Sequence, residues 1–213
     1  RDFRADAGFM PQVDVRSGDL LLQRTWWAQD PQGWFSFLSA GVQLNRTEDL
    51  SGNLNDERIQ LDFGYSGPMQ SAVNVRVARR KELLGQQLFH DLDAVFVGLE
   101  VRPSGVATLQ MGSELSETVD YLAGREGRQI TAGPSADLKL GRHVNLQLQH
   151  SYRRLNRDGD WAFVANLSQV RAVYNLNVRA FFRAIVQYQN IERNPESYSI
   201  PVNPESRTLF AHL

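Results

Sequence analysis

Hydrophobic and polar residues alternate along most of this chain. Between Ile59 and Tyr65 every second residue is apolar, and the residues between them are Gln60, Asp62 and Gly64. A period of two places successive side chains on opposite faces of a strand, whereas a helix needs apolar residues three and four apart. The same alternation recurs in residues 40–44, 73–77, 95–101, 109–115, 136–140, 144–152, 170–174 and 182–188. The pattern predicts a protein that is nearly all β.

About twelve strands are predicted from this alternation. They span residues 3–16, 19–29, 34–46, 57–66, 70–80, 91–102, 106–118, 129–140, 143–154, 161–175, 178–191 and 206–213. Most hold about 10–14 residues, which is long against the roughly 5–6 residues typical of globular proteins. Arg24 falls in line with apolar Leu22 and Trp26, so the outward face of that strand is left open. Pro11 indicates an edge or a bulge in the first strand.

The connections between the predicted strands alternate between tight and long. Tight-turn chemistry occurs at residues 30–33, 66–68, 102–105, 141–142 and 175–177. Longer polar connections are predicted at residues 47–56, 79–90, 119–128, 155–160 and 191–206, and only the connection near Ser17 and Gly18 breaks the order. Barrels of the bacterial outer membrane sort their connections in this way, with tight turns on the periplasmic side. A soluble sandwich has no reason to do so.

Aromatic residues lie near both kinds of connection. Trp34, Tyr65 and Tyr174 lie near predicted tight turns. Tyr152, Trp161 and Tyr188 lie near predicted long loops. Aromatic residues form girdles at the two interfaces of a membrane, and we interpret these six as such girdles.

The sequence therefore predicts an antiparallel up-and-down transmembrane β-barrel, with residues 1–213 as one domain. Glycine and charged residues occupy the polar face in mid-strand, where a barrel can line its interior with them. The residues predicted to line the lumen are Asp62, Arg76, Glu100, Glu114, Asp137, Lys139, Arg171 and Arg183. The alternative is a soluble β-sandwich, in which these residues would form the solvated outer faces.

Composition narrows the choice only slightly. The net charge is −1, so no basic field indicates nucleic acid as a partner. The absence of cysteine excludes disulfides and thiolate metal sites. No apolar run approaches the roughly 20 residues that a membrane helix needs, but a spanning strand needs only about 10 residues with alternate ones apolar.

Three stretches resemble a known family. They are DFRADAGFMPQVDVR at the start, VRAVYNLNVRAFFRAIVQYQ in the last third and SRTLFAHL at the end. Together they resemble the C-terminal barrel of an uncharacterised outer-membrane family, the domain of unknown function 5916. The resemblance implies a carbohydrate-binding-like domain before the barrel, and no catalytic residue. Because single-chain outer-membrane barrels commonly finish on an aromatic residue and this chain stops at Leu213, we expect it to be a piece of a longer protein with further strands.

The sequence offers no catalytic constellation, metal site or cofactor site. His150 and Ser151 point to opposite faces of a strand, so they cannot form a catalytic hydrogen bond, and His90 beside Asp91 is equally weak. Three acids around one loop, Glu117, Asp120 and Glu126, are interpreted as solvated rather than as calcium ligands. The basic run 79–81 could attract lipopolysaccharide phosphate, but a solvated rim is the favoured interpretation.

These observations predict a non-enzymatic pore or transport component of the Gram-negative outer membrane. Its lumen would carry mixed charges, and its partners would be membrane lipid and lipopolysaccharide, with other envelope proteins or glycans suggested by the resemblance. A plugged barrel that anchors a surface or periplasmic domain is the alternative. An outer-membrane enzyme and a soluble β-sandwich are less favoured.

Overall fold

One antiparallel sheet contains every strand of the described chain. A computed structural model describes residues 14–30, 32–84, 87–120, 125–177, 179–198 and 201–212. The strands are β1 Val15–Trp27, β2 Phe37–Asp49, β3 Leu54–Gly67, β4 Ser71–Leu84, β5 Gln87–Ser104, β6 Ala107–Asp120, β7 Arg125–Leu140, β8 Val144–Arg157, β9 Asp160–Asn177, β10 Ala180–Arg193 and β11 Glu205–His212. Each strand pairs with its neighbours in the chain, in the order β1 to β11. The fold is an up-and-down all-β meander.

The register of the ladders separates two faces of the sheet. Phe63 is the partner of Val75, and Val75 is the partner of Val97, so these side chains lie on one face. Asp62 is the partner of Arg76, and both lie on the other face. We call these the apolar face and the polar face. The alternation of the sequence thus continues across the sheet, because register partners share a face.

The apolar face has no protein layer over it, unlike the apolar face of a sheet in a water-soluble protein. On the apolar face, Phe63 is 50% exposed, Leu99 47% and Leu209 70%. On the polar face, Gln60 is only 6% exposed and Ser116 only 7%. Large apolar side chains therefore lack protein cover in the described structure, while the polar face holds buried side chains such as Gln60 beside exposed ones such as Arg76.

The sheet is not closed. Among the described residues β1 pairs only with β2, and β11 pairs only with β10. Both edge strands also carry exposed apolar residues on the polar face, namely Leu21, Trp27 and Phe210. The two edges thus differ from the interior strands, whose polar face is mainly hydrophilic.

Eleven strands are described where about twelve were predicted. The predicted strand 3–16 lies almost entirely outside the described residues, and the other predicted strands all match an observed one.

The face that Arg24 occupies, which the sequence left open, is the apolar face, because Arg24 is the partner of Ala40. Its guanidinium lies 5.3 Å from the ring centroid of Trp26, an arrangement that provides a cation–π contact.

The prediction of long loops at one end is largely wrong. β4 continues to Leu84 and β5 begins at Gln87, and β8 continues to Arg157 and β9 begins at Asp160. The polar residues of these segments form paired strands, because cross-strand ion pairs accommodate them. At the opposite end, the connection of residues 28–36 is longer than the predicted tight turn. We call the end with connections 28–36, 68–70, 105–106, 141–143 and 178–179 the turn end, and the other the arm end.

A small apolar cluster lies at the arm end. The β5–β6 ladder stops at Ala94 and Ser116, while the β6–β7 ladder continues to Asp120 and Arg125. The two hairpins β4–β5 and β6–β7 therefore separate there. Phe89, Leu92 and Val119 are 2–4% exposed and pack together, with Leu84 against them. This cluster holds the separated hairpins together.

The described chain contains only two helical turns, the 3-10 helices Pro68–Gln70 and Pro195–Ser197. No helix in the described residues is long and apolar enough to cross a membrane.

We predict that Gly67→Ala destabilises the turn end. A Cβ at Gly67 would overlap the Tyr65 hydroxyl, which donates a 2.7 Å hydrogen bond to the Trp34 carbonyl oxygen and ties down connection 28–36. We expect a loss of about 1–3 kcal/mol in the free energy of unfolding, measured by guanidinium titration of the detergent-folded chain. Gly105→Ala is the control, since nothing lies within 4 Å of its Cβ position. Equal stability of the two variants would contradict the prediction.

Candidate functional site: the polar face

The polar face brings together all eight residues that were predicted to line a lumen. They are Asp62, Arg76, Glu100, Glu114, Asp137, Lys139, Arg171 and Arg183, and each occupies a polar-face position in its ladder. Alternation along β3 to β10 places them there, because residues two apart on a strand share a face and register partners share a face across strands. That this face lines a lumen stays a prediction.

On the polar face of β3 and β4, Asp62 and Arg76 form an ion pair. The Arg76 Nε lies 3.3 Å from the Asp62 Oδ1. The Gln60 amide donates to both Asp62 carboxylate oxygens, at 2.8 and 2.9 Å. The Arg76 guanidinium also lies 5.4 Å from the ring centroid of Phe96. A depression of about 380 Å³ adjoins these side chains.

A second polar network links β5, β6 and β7. Arg102 lies 2.8 Å from the Glu100 carboxylate, and the Gln110 amide donates to Glu100 at 2.9 Å. The Ser135 hydroxyl donates to the Gln110 carbonyl oxygen at 3.2 Å. Three strands are thereby connected through side chains as well as through the backbone.

On β7 to β10 four cations of the polar face are unpaired. Lys139, Arg153, Arg171 and Arg183 form no ion pair with any described residue. The Arg171 Nη1 donates to the Gln147 carbonyl oxygen at 3.3 Å, but its Nε is buried without a partner. Lys139 and Arg171 line a depression of about 310 Å³ together with Asp137. This half of the face therefore has an excess of positive charge.

A buried ion pair lies at the arm end. The Arg157 side chain is 3% exposed, and its Nη1 lies 3.1 Å from the Asp120 carboxylate, whose side chain is 9% exposed. The Arg157 guanidinium lies 4.9 Å from the ring centroid of Tyr198. Burial raises the pKa of the Tyr198 hydroxyl, and the Arg157 charge partly offsets that rise. The pair links β6 and β8 to the β10–β11 connection.

The β10–β11 connection is tied down beside this pair. The Asn194 backbone donates to the Ala162 carbonyl oxygen at 2.9 Å, and its side chain donates to Asp160 at 3.0 Å. The Ser197 hydroxyl donates to the Trp161 carbonyl oxygen at 3.2 Å. Residues 194–198 therefore follow the end of the β8–β9 hairpin.

The six predicted interface aromatics are divided between the two ends. At the turn end, the Trp34 and Tyr65 rings stack with centroids 6.0 Å apart, and Tyr174 stacks on His143 at 5.9 Å. Tyr152 and Tyr188 lie on the apolar face toward the arm end, in neighbouring rows of the sheet. Trp161 lies five residues beyond Asn166, the partner of Tyr152, which is about 16 Å further along β9.

The basic run 79–81 is fully paired, so it does not form a free cationic patch. Arg79 lies 2.7 Å from Asp93, Arg80 2.7 Å from Asp56, and Lys81 2.7 Å from Glu57. These pairs join β3, β4 and β5 near the arm end.

Neither catalysis nor metal binding gains support from the described residues. Glu117 faces Arg128 at 3.4 Å and Asp120 pairs with Arg157, so the three acids around the β6–β7 connection do not converge. No group of three potential metal ligands occurs in the described part of the chain. The His150 Nδ1 lies 2.9 Å from the Ser168 Oγ, on the apolar face, and no described carboxylate bonds to this histidine.

Sequence reasoning missed the Arg157–Asp120–Tyr198 cluster. Asp120 ends β6, Arg157 ends β8 and Tyr198 lies in the β10–β11 connection, so no local spacing relates them. The weak signal in the sequence was that Asp120 and Arg157 carry opposite charges and each end the first strand of one of two neighbouring hairpins.

Comparisons of the chain with family models, with curated proteins and with solved structures find no match. The resemblance to domain of unknown function 5916 therefore stays a prediction.

We predict that Arg157→Met strongly destabilises the arm end. It leaves the Asp120 carboxylate buried without its Arg157 ion pair, which costs about 3–5 kcal/mol in comparable sites. The free energy of unfolding and the rate of proteolysis at residues 194–204 are the measurements. Arg207→Met is the control, because its pair with Glu205 is well exposed and contributes about 0–1 kcal/mol. Similar losses in the two variants would disprove the role of the buried pair.

Proposed function

We propose that this protein is a β-barrel of the bacterial outer membrane that acts as a pore with a mixed-charge lumen. The observation that carries the proposal is the exposure of the apolar face of the sheet. Large apolar residues such as Phe63 and Leu99 are about half exposed, while the polar face holds ion pairs and hydrogen-bonded amides. In water such an apolar face would need a second layer over it. In a bilayer, lipid covers it.

Strand length and topology support the same proposal. β1 to β10 contain 13 to 18 residues each, more than the roughly 9–11 residues that cross a bilayer when tilted. Pairing of each strand with its sequence neighbours is the topology of outer-membrane barrels. The arm end would then face outward, where ion-paired strands project beyond the apolar band and meet lipopolysaccharide.

The proposal requires that both edges of the sheet are paired in the membrane. Unpaired backbone N–H and C=O groups in the hydrocarbon region each cost several kcal/mol. Pairing of β1 with β11, or of both with further strands, would satisfy them and enclose the polar face. The resemblance to domain of unknown function 5916 agrees with a barrel in an envelope protein, and it adds glycans as candidate partners.

A plugged barrel that anchors another domain is the second candidate. The observation that favours it is the packed arm end, where Phe89, Leu92 and Val119 and the Arg157–Asp120 pair are buried. Such packing reduces the opening at that end of a closed wall. Conductance separates the two candidates.

We predict discrete conductance steps when the detergent-folded chain is added to a planar bilayer. The folded barrel should also migrate differently on a gel before and after boiling, because its strand ladders open only when the sample is boiled. Insertion with heat-dependent migration but no conductance would support the plugged barrel instead. Solubility as a folded monomer without detergent would exclude both.

A matched pair of lysine substitutions tests which face meets lipid. Leu148 lies on the apolar face and is 37% exposed, and its neighbour Gln149 lies on the polar face. We expect Leu148→Lys to lower the free energy of unfolding in lipid vesicles by about 2–4 kcal/mol, and Gln149→Lys to have little effect. In a water-exposed sheet the first substitution would be close to neutral, since Leu148 is already partly solvated. A neutral Leu148→Lys is therefore the contrary outcome.

A further inference from the structure

We propose that the polar face of β7 to β10 is a binding strip for small oxyanions, of the phosphate or carboxylate type, and that it makes the pore prefer anions. The second part rests on the proposed function, whereas the binding itself does not. The strip is defined by Lys139, Arg171 and Arg183, with Arg153 further toward the arm end.

The ladders bring the three cations into two adjacent rows of the sheet. Lys139 is the partner of Asn145, Asn145 of Val173, and Val173 of Arg183. The next row toward the arm end runs from Asp137 through Gln147 to Arg171. Neighbouring strands lie about 4.8 Å apart, so Arg171 is within one strand of Arg183 and two strands of Lys139. Long side chains at these spacings can reach one small anion from two sides.

The cations lack the protein partners that would neutralise them. None of the three forms an ion pair with a described residue, and the Arg171 Nε is buried without a hydrogen-bond acceptor. Buried polar groups are nearly always satisfied, so the unsatisfied guanidinium donor of Arg171 indicates a missing acceptor. The planar guanidinium fits a carboxylate or a phosphate with two parallel hydrogen bonds.

The surroundings of the strip suit a small oxyanion. The depression of about 310 Å³ holds Lys139 and Arg171, and the amides of Asn145 and Gln147 line it as further donors. Asp137 is the one acid that lines it, and its charge opposes anion binding. The remaining charge of the depression is therefore positive, at one unit before Arg183 is added.

The polar face of β3 to β6 carries acids, in contrast to the cationic strip on β7 to β10. Its acids Asp62 and Glu100 are held by Arg76 and Arg102, while Glu114 is the partner of Phe96 and Thr131. In a closed wall, the acids of β3 to β6 and the cations of β7 to β10 would lie on different sides of the lumen. Mobile anions would follow the unpaired cations, because fixed charges in a narrow polar path select ions of opposite sign.

Binding and selectivity are tested separately on the full detergent-folded chain. Titration calorimetry with inorganic pyrophosphate and with citrate measures binding, and the two probes distinguish phosphate from carboxylate ligands. The reversal potential in a roughly tenfold KCl gradient measures selectivity in planar bilayers. The variants are Arg171→Gln, the triple variant K139Q/R171Q/R183Q and Asp137→Asn. Arg207→Gln on the apolar face is the matched control, and heat-dependent migration verifies folding of every variant.

We expect chloride to permeate more easily than potassium in the unmodified chain. The triple variant should lose this preference and weaken binding of at least one probe by about tenfold or more, whereas Asp137→Asn should strengthen both. Arg207→Gln should change neither. Binding of neither probe, or equal binding in the triple variant and the control, would overturn the strip. A silent barrel that still binds a probe through these residues would overturn the pore and leave the strip standing.

Discussion

The register of the antiparallel ladders is the constraint on which the rest of this structure depends. Because side chains alternate along a strand, a slip of one residue in any ladder would exchange the two faces of that strand. In the observed register Phe63, Val75 and Val97 share one face, and Asp62 and Arg76 share the other. The eleven described strands thus keep apolar and polar side chains apart, with no helix or second sheet among the described residues to separate them.

The same register decides which charges are neutralised. Asp62 and Arg76 are direct partners on adjacent strands, so their side chains meet and form an ion pair. Lys139 and Arg183 share a row, but Asn145 and Val173 stand between them and no acid occupies that row on β7 to β10. Because no acid lies in that row, their positive charge is not neutralised, although the chain as a whole is nearly neutral. Position in the ladders, rather than net charge, determines the electrostatics of the polar face.

Alternation is a local signal, and it was sufficient to predict the strands and the side of each predicted lumen residue. It could not predict the connections, because polar residues such as Arg79 to Lys81 look like a loop until their acidic partners on β3 and β5 are known. It also left Arg24 undecided, since a cation on an apolar face is tolerated there by Trp26 beside it. The Arg157–Asp120–Tyr198 cluster depends on contacts between residues that are distant in the sequence, which no local pattern contains.

The sheet sets three requirements for its surroundings. The apolar face needs apolar cover, the polar face needs water or ions, and the edges at β1 and β11 need partners for their backbone groups. A second protein layer would meet the first requirement, but every described strand belongs to the one sheet. In the proposed barrel, a bilayer would cover the apolar face, and closure of the sheet would pair the edges and enclose a wet interior. A membrane barrel would meet all three requirements together, so the proposed function follows from the two faces of the sheet rather than from any single residue.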